Sequence, residues 1–369
     1  MIATMPIPVI LALCALLAIS TASAHAASST TRDAPTAETA DAAPPAPAKP
    51  ILSPRFVPPV ACTLGSDCWV MNYLDIGPDN DGKATDPFCG ARTYDGSKGT
   101  AFALRDILQM DAGVNVLAAR AGTVKRVRAA EEDLPAATDD DLKKIRDAKK
   151  ECGNAVLIDH EEGLQTIYCH LKKESITVKP GDIVRAGDAI GQIGMSGFTR
   201  YPQLHFGILW DSAIVDPFTG LSSRARCGAV KRSLWESDTP PTYEGAVFYN
   251  GGFLNTMPKL NDIDNAKAIM TVIPAKSDML SFWTTLFGVQ AGDEIDMTIT
   301  APDGETFSSR KITQETAQTR QLYYSGRRQA KDQMLKPGTY KGTAVLTRKE
   351  KDGKKKSWNF ERSVTVQGG

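Results

Sequence analysis

In "NAVLIDHEEGLQTIYCHL", Asn154 to Leu171, two apolar runs stand on either side of a short charged segment that ends in glycine. Runs of this length, bounded by turn residues, read as two neighbouring strands. The same pattern recurs on both sides, in "NVLAARAGTVKRVRA" from Asn115, "SITVKPGDIVRAGDAIGQIG" from Ser175 and "QLHFGILWDSAIVDPF" from Gln203. Together they predict an antiparallel β domain over residues 60–235. One interruption, "EEDLPAATDDDLKKIRDAKKE" from Glu131 to Glu151, is charged with helical spacing at Leu142 and Ile145. It reads as a surface helix inserted in a hairpin.

Within "RYPQLHFGIL", Arg200 to Leu209, Gln203 and His205 lie two residues apart on a strand and so face the same way. A second histidine at 203 would make a pair able to hold or serve a metal. Only His205 is there.

Residues Cys89 to Phe218 resemble the lysostaphin or LytM-type zinc endopeptidases, which cut peptide cross-links in bacterial cell walls. The resemblance rests on "GTVKRV", "GNAVLIDHEEGLQTIYCHL", "VKPGDIVRAGDAIGQIGMSG" and "PQLHF" in order and spacing. It implies a compact, duplicated-hybrid-motif-like β domain with a groove for peptidoglycan stem peptides. It also implies that His170, in Tyr168-Cys169-His170-Leu171, keeps a catalytic position and that His205 keeps the last zinc ligand position. In "YDGSKGTAFALRD", Ser97 stands where the resemblance implies the first ligand histidine and Ala101 where it implies the ligand aspartate. Gln203 stands for the other catalytic histidine.

A catalytic zinc needs three protein ligands and an open position, and neither serine nor alanine is a usual ligand. Gln203 is neutral at every pH and cannot shuttle a proton. Asp95, two residues before Ser97, is displaced by about 6–7 Å along a strand, too far to substitute. Asp106 and His160 lie nearby, but His160 reads as a structural strand-end residue. The sequence therefore predicts a non-catalytic cell-wall module that binds peptidoglycan peptides or regulates a cell-wall hydrolase, with no cofactor. The alternative is a zinc endopeptidase whose ligands are displaced.

The rest of the chain sets the context. Lys+Arg and Asp+Glu both number 43, so no net field favours nucleic acid. The apolar run from about Val9 to Ala22, followed by Ala24-His25-Ala26, reads as a secretory signal over residues 1–26, leaving no integral membrane segment in the mature chain and a periplasmic or secreted location. Leu13 before Cys14 argues against lipidation. Residues 27–59, rich in Ala, Pro, Thr and Ser, read as a disordered spacer. Removing Cys14 leaves Cys62, Cys68, Cys89, Cys152, Cys169 and Cys227, an even set for an oxidising compartment. Three disulfides are expected; six cysteines allow about 15 pairings, of which Cys62 with Cys68 is the nearest in sequence. After Pro240-Pro241, alternating runs such as "DMLSFWTTLFG" and "GTYKGTAVLTRK" predict an immunoglobulin-like β-sandwich over 240–369, with "RKEKDGKKK" as a solvated hairpin tip. N-terminal sequencing of the exported protein should find Ala27 first; a chain that still begins at Met1 overturns the signal reading.

Overall fold

Alternating side chains give each strand one face for a core, and the first half of the chain builds one large sheet from that rule. The structure is a computed structural model and describes residues 55–77, 82–134, 138–229, 232–236, 242–265, 270–350 and 352–368. The predicted signal, most of the spacer and the Pro240-Pro241 boundary lie outside these residues. The elements of the first half are β1 (Cys68–Asn72), β2 (Thr100–Leu104), α1 (Ile107–Ala112), β3 (Asn115–Leu117), β4 (Gly122–Arg128), α2 (Asp139–Asp147), β5 (Asn154–Asp159), β6 (Leu164–Leu171), β7 (Ile183–Val184), β8 (Ala189–Gln192), β9 (Gln203–Trp210) and β10 (Ala213–Val215). The main sheet runs β1-β2-β9-β6-β5-β4-β7, with β10 paired to β9, and every pairing in it is antiparallel. Asn154–Leu171 forms the β5–β6 hairpin, with Val156 opposite Tyr168 and Ile158 opposite Thr166. One face of the sheet buries Phe102, Val156, Tyr168, Leu204 and Phe206 against Trp235.

The charged insert forms helix α2 between β4 and β5, as its spacing predicts. Thr138 caps it through a capping box with Asp141, and Leu142 is its buried residue. The spacer expected to reach residue 59 ends sooner. Phe56 is fully buried, its N–H donates to Leu234 O at 2.9 Å, and Val60 is also in the core. A composition window hides this, because one phenylalanine with a waiting slot beside Trp235 is enough to dock a proline-rich segment.

The second half contains β11 (Val247–Leu254), α3 (Leu260–Asp264), β12 (Val272–Pro274), β13 (Met279–Val289), β14 (Glu294–Thr300), β15 (Thr306–Thr313), β16 (Gln318–Arg328), β17 (Gly338–Lys349) and β18 (Lys355–Gln367). A three-stranded sheet, β11-β13-β16, faces a five-stranded sheet, β12-β18-β17-β14-β15. Phe282 and Leu286 from the first meet Met297, Ala344, Leu346 and Val364 from the second in a common core. The basic stretch lies at the β17–β18 turn, with Lys349 opposite Lys355.

A strand in a two-sheet sandwich normally buries alternate residues, yet all eleven residues of β13 are buried. The second face is covered by the first half of the chain. Trp69, Met71, Ala101, Ala103 and Tyr201 pack against Tyr249 and Phe287, whose rings stack at 3.9 Å. Beside this seam the buried Arg92 guanidinium donates to the carbonyls of Val70 and Glu244, one from each half. Leu52 to Gly369 accordingly forms one compact unit.

Disulfides join Cys62 to Cys68, Cys89 to Cys227 and Cys152 to Cys169, so all six cysteines are paired as expected. No helix among the described residues is long and apolar enough to cross a membrane. In the sandwich, Arg348 Nε and Nη2 each donate to the Asp293 carboxylate at 2.7 Å, and both side chains are buried. Breaking such a pair strands a buried charge. Arg348→Met should therefore cost about 3–5 kcal/mol in urea unfolding, and adding Asp293→Leu should recover most of it; equal losses in the single and double variants would contradict this.

Candidate functional site

The face of the main sheet opposite its core carries Ala101, Gln203 and His205. In the β2–β9 ladder Ala101 lies directly opposite His205 and Ala103 opposite Gln203, while Asn72 on β1 lies opposite Ala101. Gly99, just before β2, has no room for a side chain: a Cβ there would fall 2.3 Å from Phe206 O and 2.9 Å from His205 Nε2. The absence of a side chain at 99 lets β2 run this close to the imidazole.

His170, at the end of β6, has φ 64°, in the left-handed region, and its Nδ1 lies 2.8 Å from Ser196 O. A carbonyl can only accept, so Nδ1 carries the proton and Nε2 keeps a free lone pair. The His170 and His205 rings lie edge to face with centroids 6.2 Å apart. Burial holds both neutral, pulling His170 down to about 4 and His205, with the His170 charge as a second cause, to about 3. The His205 ring makes no hydrogen bond among the described residues. His160 is spent structurally, with Nδ1 2.8 Å from Ala121 O and Nε2 2.7 Å from Thr166 Oγ1.

The other positions do not offer ligand atoms. Ser97 is buried, with its hydroxyl toward the carbonyls of Tyr73 (3.1 Å) and Gly99 (3.3 Å), and it does not line the cavity described below. Ala101 is buried within the apolar seam. Asp95 accepts from Gly82 N, and Asp106 caps α1 through Gln109 N. Among the described residues, one cluster has metal-ligand spacing, Cys62, Asp67 and Cys68, and its two sulfurs are joined in a disulfide. A zinc ion needs three donors, and His170 and His205 supply two, so the residues present do not fit it.

His170, Gln203 and His205 instead line a cavity of about 720 Å³. Its floor is the sheet face with Asn72 and Ala101. One wall is α2, through Leu142, Lys143 and Arg146, and the other comes from the sandwich, through Leu260, Gln318 and Arg320. Arg320 is fixed there by a bidentate pair with Asp264, by donation to Tyr249 Oη and by stacking 4.0 Å over Tyr201. Sequence reading missed Asn72, Arg146 and Arg320. Arg146 had a signal, since it lies one turn from Leu142 on the predicted helix; Arg320 had none, because its place depends on how the two halves dock.

Residues 106–217 match the model of Peptidase family M23. They belong to that family. The matched segment of the M23 domain includes His160, His170, Gln203 and His205 and begins after Ser97 and Ala101. Two curated proteins are similar over short stretches. The cell division protein DipM of Caulobacter vibrioides is 38% identical over 64 residues, 17% of this chain and 10% of DipM. An uncharacterized metalloprotease of Buchnera aphidicola is 37% identical over 67 residues, 18% of this chain and 17% of that protein. The similarity thus spans under a fifth of either relative's length. Among solved structures, the SpoIIQ–SpoIIIAH pore forming complex aligns at 19% identity over 47% of this chain and 94% of that one, with a TM-score of 0.32. The catalytic domain of lysostaphin from Staphylococcus simulans aligns at 20% identity over 39% and 85%, with a TM-score of 0.26.

The depressed basicity of the two imidazoles has a measurable sign. In the unfolded chain each protonates near its ordinary value of about 6.5, so acidification below that value loads protons onto the unfolded state first and their contribution to stability falls. Asp216, raised by burial to about 7, acts in the opposite direction. NMR titration isolates the histidines: their ring signals should remain those of neutral imidazole at pH 5.5, and half-protonation of either near pH 6.5 would refute the account of the site.

Proposed function

We propose that this chain is an exported, non-catalytic relative of the M23 peptidases, acting in the periplasm or outside the cell. It holds peptidoglycan peptides in the former catalytic groove or docks on a cell-wall hydrolase and regulates it. The observation that carries this reading is the place of Ala101. The resemblance expects a carboxylate at this position, opposite His205, but the position is an alanine packed into the apolar seam with Tyr249 and Phe287. A carboxylate there without a bound cation is costly to bury, so an apolar seam and a metal ligand are competing uses of one position.

The remaining chemistry supports binding over hydrolysis. The sheet face of the groove offers two neutral imidazoles and a neutral amide, its one carboxylate among the described residues, Asp139, is paired with Arg200, and no group of three ligands forms there among those residues. Its walls are intact, and its volume is within the range of about 300–1,000 Å³ typical of small-ligand sites. The paired cysteines fit an oxidising compartment.

The mature protein should retain no stoichiometric zinc after dialysis and should not cleave cross-linked muropeptides; chelator-sensitive cleavage would overturn the proposal. Ala101→Asp alone should lower the melting temperature, because it buries a carboxylate in the seam. In Ser97→His/Ala101→Asp, which with His205 supplies three ligands, added zinc should restore part of that loss. A zinc-independent melting temperature in the double variant would show that these positions never formed one site.

A further inference from the structure

Gln203 is more than a missing histidine. Its side chain is buried and its Nε2 donates to Thr199 Oγ1 at 2.8 Å. The orientation of this amide follows from its neighbour. Thr199 has a single hydroxyl proton, which it donates to Tyr201 O at 2.9 Å, so toward Gln203 it can only accept. The NH2 end of Gln203 must face Thr199 and the carbonyl end must point away. That carbonyl, Oε1, is buried and meets no donor among the described residues, although Gln203 lines the cavity. A second buried amide on the cavity floor, Asn72, likewise leaves Oδ1 without a partner among the described residues.

Both oxygens are buried acceptors without a donor among the described residues, on side chains that line the cavity, and such acceptors call for a partner. The rim adds the complementary charge. Arg146 on α2 lies 4.6 Å over the Phe198 ring and has no carboxylate partner among the described residues, whereas Arg200 is paired with Asp139 and Lys143 with Asp147. A ligand matching both features carries amide N–H groups and an anionic group. A short peptide with a free carboxylate has both.

We propose that Gln203 is a ligand-binding residue, its Oε1 accepting an amide N–H from a short peptide whose carboxylate lies on the Arg146 guanidinium. This rests on the reading of the groove as a peptide site and adds to it a direction: amide end on the sheet, acid end on α2. The glutamine thereby replaces a proton carrier with a fixed acceptor, which favours retention of the peptide over its hydrolysis.

The test uses the full mature chain and a synthetic stem tetrapeptide, as the free acid and as the C-terminal amide, in calorimetric titrations with parallel melting curves. Gln203→Met keeps the shape and removes both the orphaned acceptor and its cost in the free protein. It should weaken binding about tenfold or more while the melting temperature holds or rises. Arg146→Ala should weaken the free acid and leave the amide form unchanged, removing the preference for the acid. If the wild-type chain binds the tetrapeptide but Gln203→Met binds it equally well, the assignment of Gln203 is wrong and the peptide-site reading stands. If the wild-type chain binds neither form, the peptide-site reading fails and takes this inference with it.

Discussion

The apolar seam between Ala101 and Ala103 on one side and Tyr249 and Phe287 on the other fixes most of what this molecule can do. Two large rings reach the sheet because two consecutive inward positions of β2 are alanine. The seam buries the second face of β13, holds β16 over the groove and thereby delivers Arg320 to the cavity wall. A large side chain at either alanine would push the sandwich away, and a charged one would have to be desolvated against tyrosine and phenylalanine. Site and architecture therefore share residues, and neither can change without the other.

Much of the first half was legible because its signals are local. The β5–β6 hairpin, the capped helix α2 and the glycine turns are each written within about twenty residues, and the even cysteine set announced its own pairing in number. That Ser97, Ala101 and Gln203 bring no imidazole or carboxylate was equally legible, since it is a matter of residue type. The seam was not. Strand β11, "VFYNGGFL", breaks its alternation with two glycines, and nothing in it says that Tyr249 faces another domain. One clue was available: "MLSFWTTLFGV" runs apolar or small with hardly a polar break, and a strand without alternation is one buried on both faces. Phe56 was missed for the opposite reason, being a single apolar residue in a segment whose composition is otherwise that of a spacer.

Charge is handled in two ways. The exposed pairs on α2, such as Lys143 with Asp147 at 2.6 Å, lie in water and contribute little. The buried cations Arg92 and Arg348 and the largely buried Arg320 are different, because each is tied to backbone carbonyls, a carboxylate or an aromatic face at a place where elements distant in sequence meet. Their directional donors make them better suited to specifying how sheets dock than to adding stability.

The bridge between Phe56 and Trp235 carries a consequence for how the chain acquires its shape in time. A polypeptide that emerges amino end first presents residues 55–60 long before residue 235 exists outside the exit, and the partner sulfur of Cys89 follows 138 residues later. The first sheet can therefore pair its inner strands early, but its core cannot receive the Phe56–Trp235 pair, or be locked by the longest disulfide, until residues 227 to 235 have emerged. Until then Phe56 and the slot meant for it remain open to solvent, so the interval is one of exposure to wrong partners, and its length is set by the rate of emergence rather than by the rate of folding.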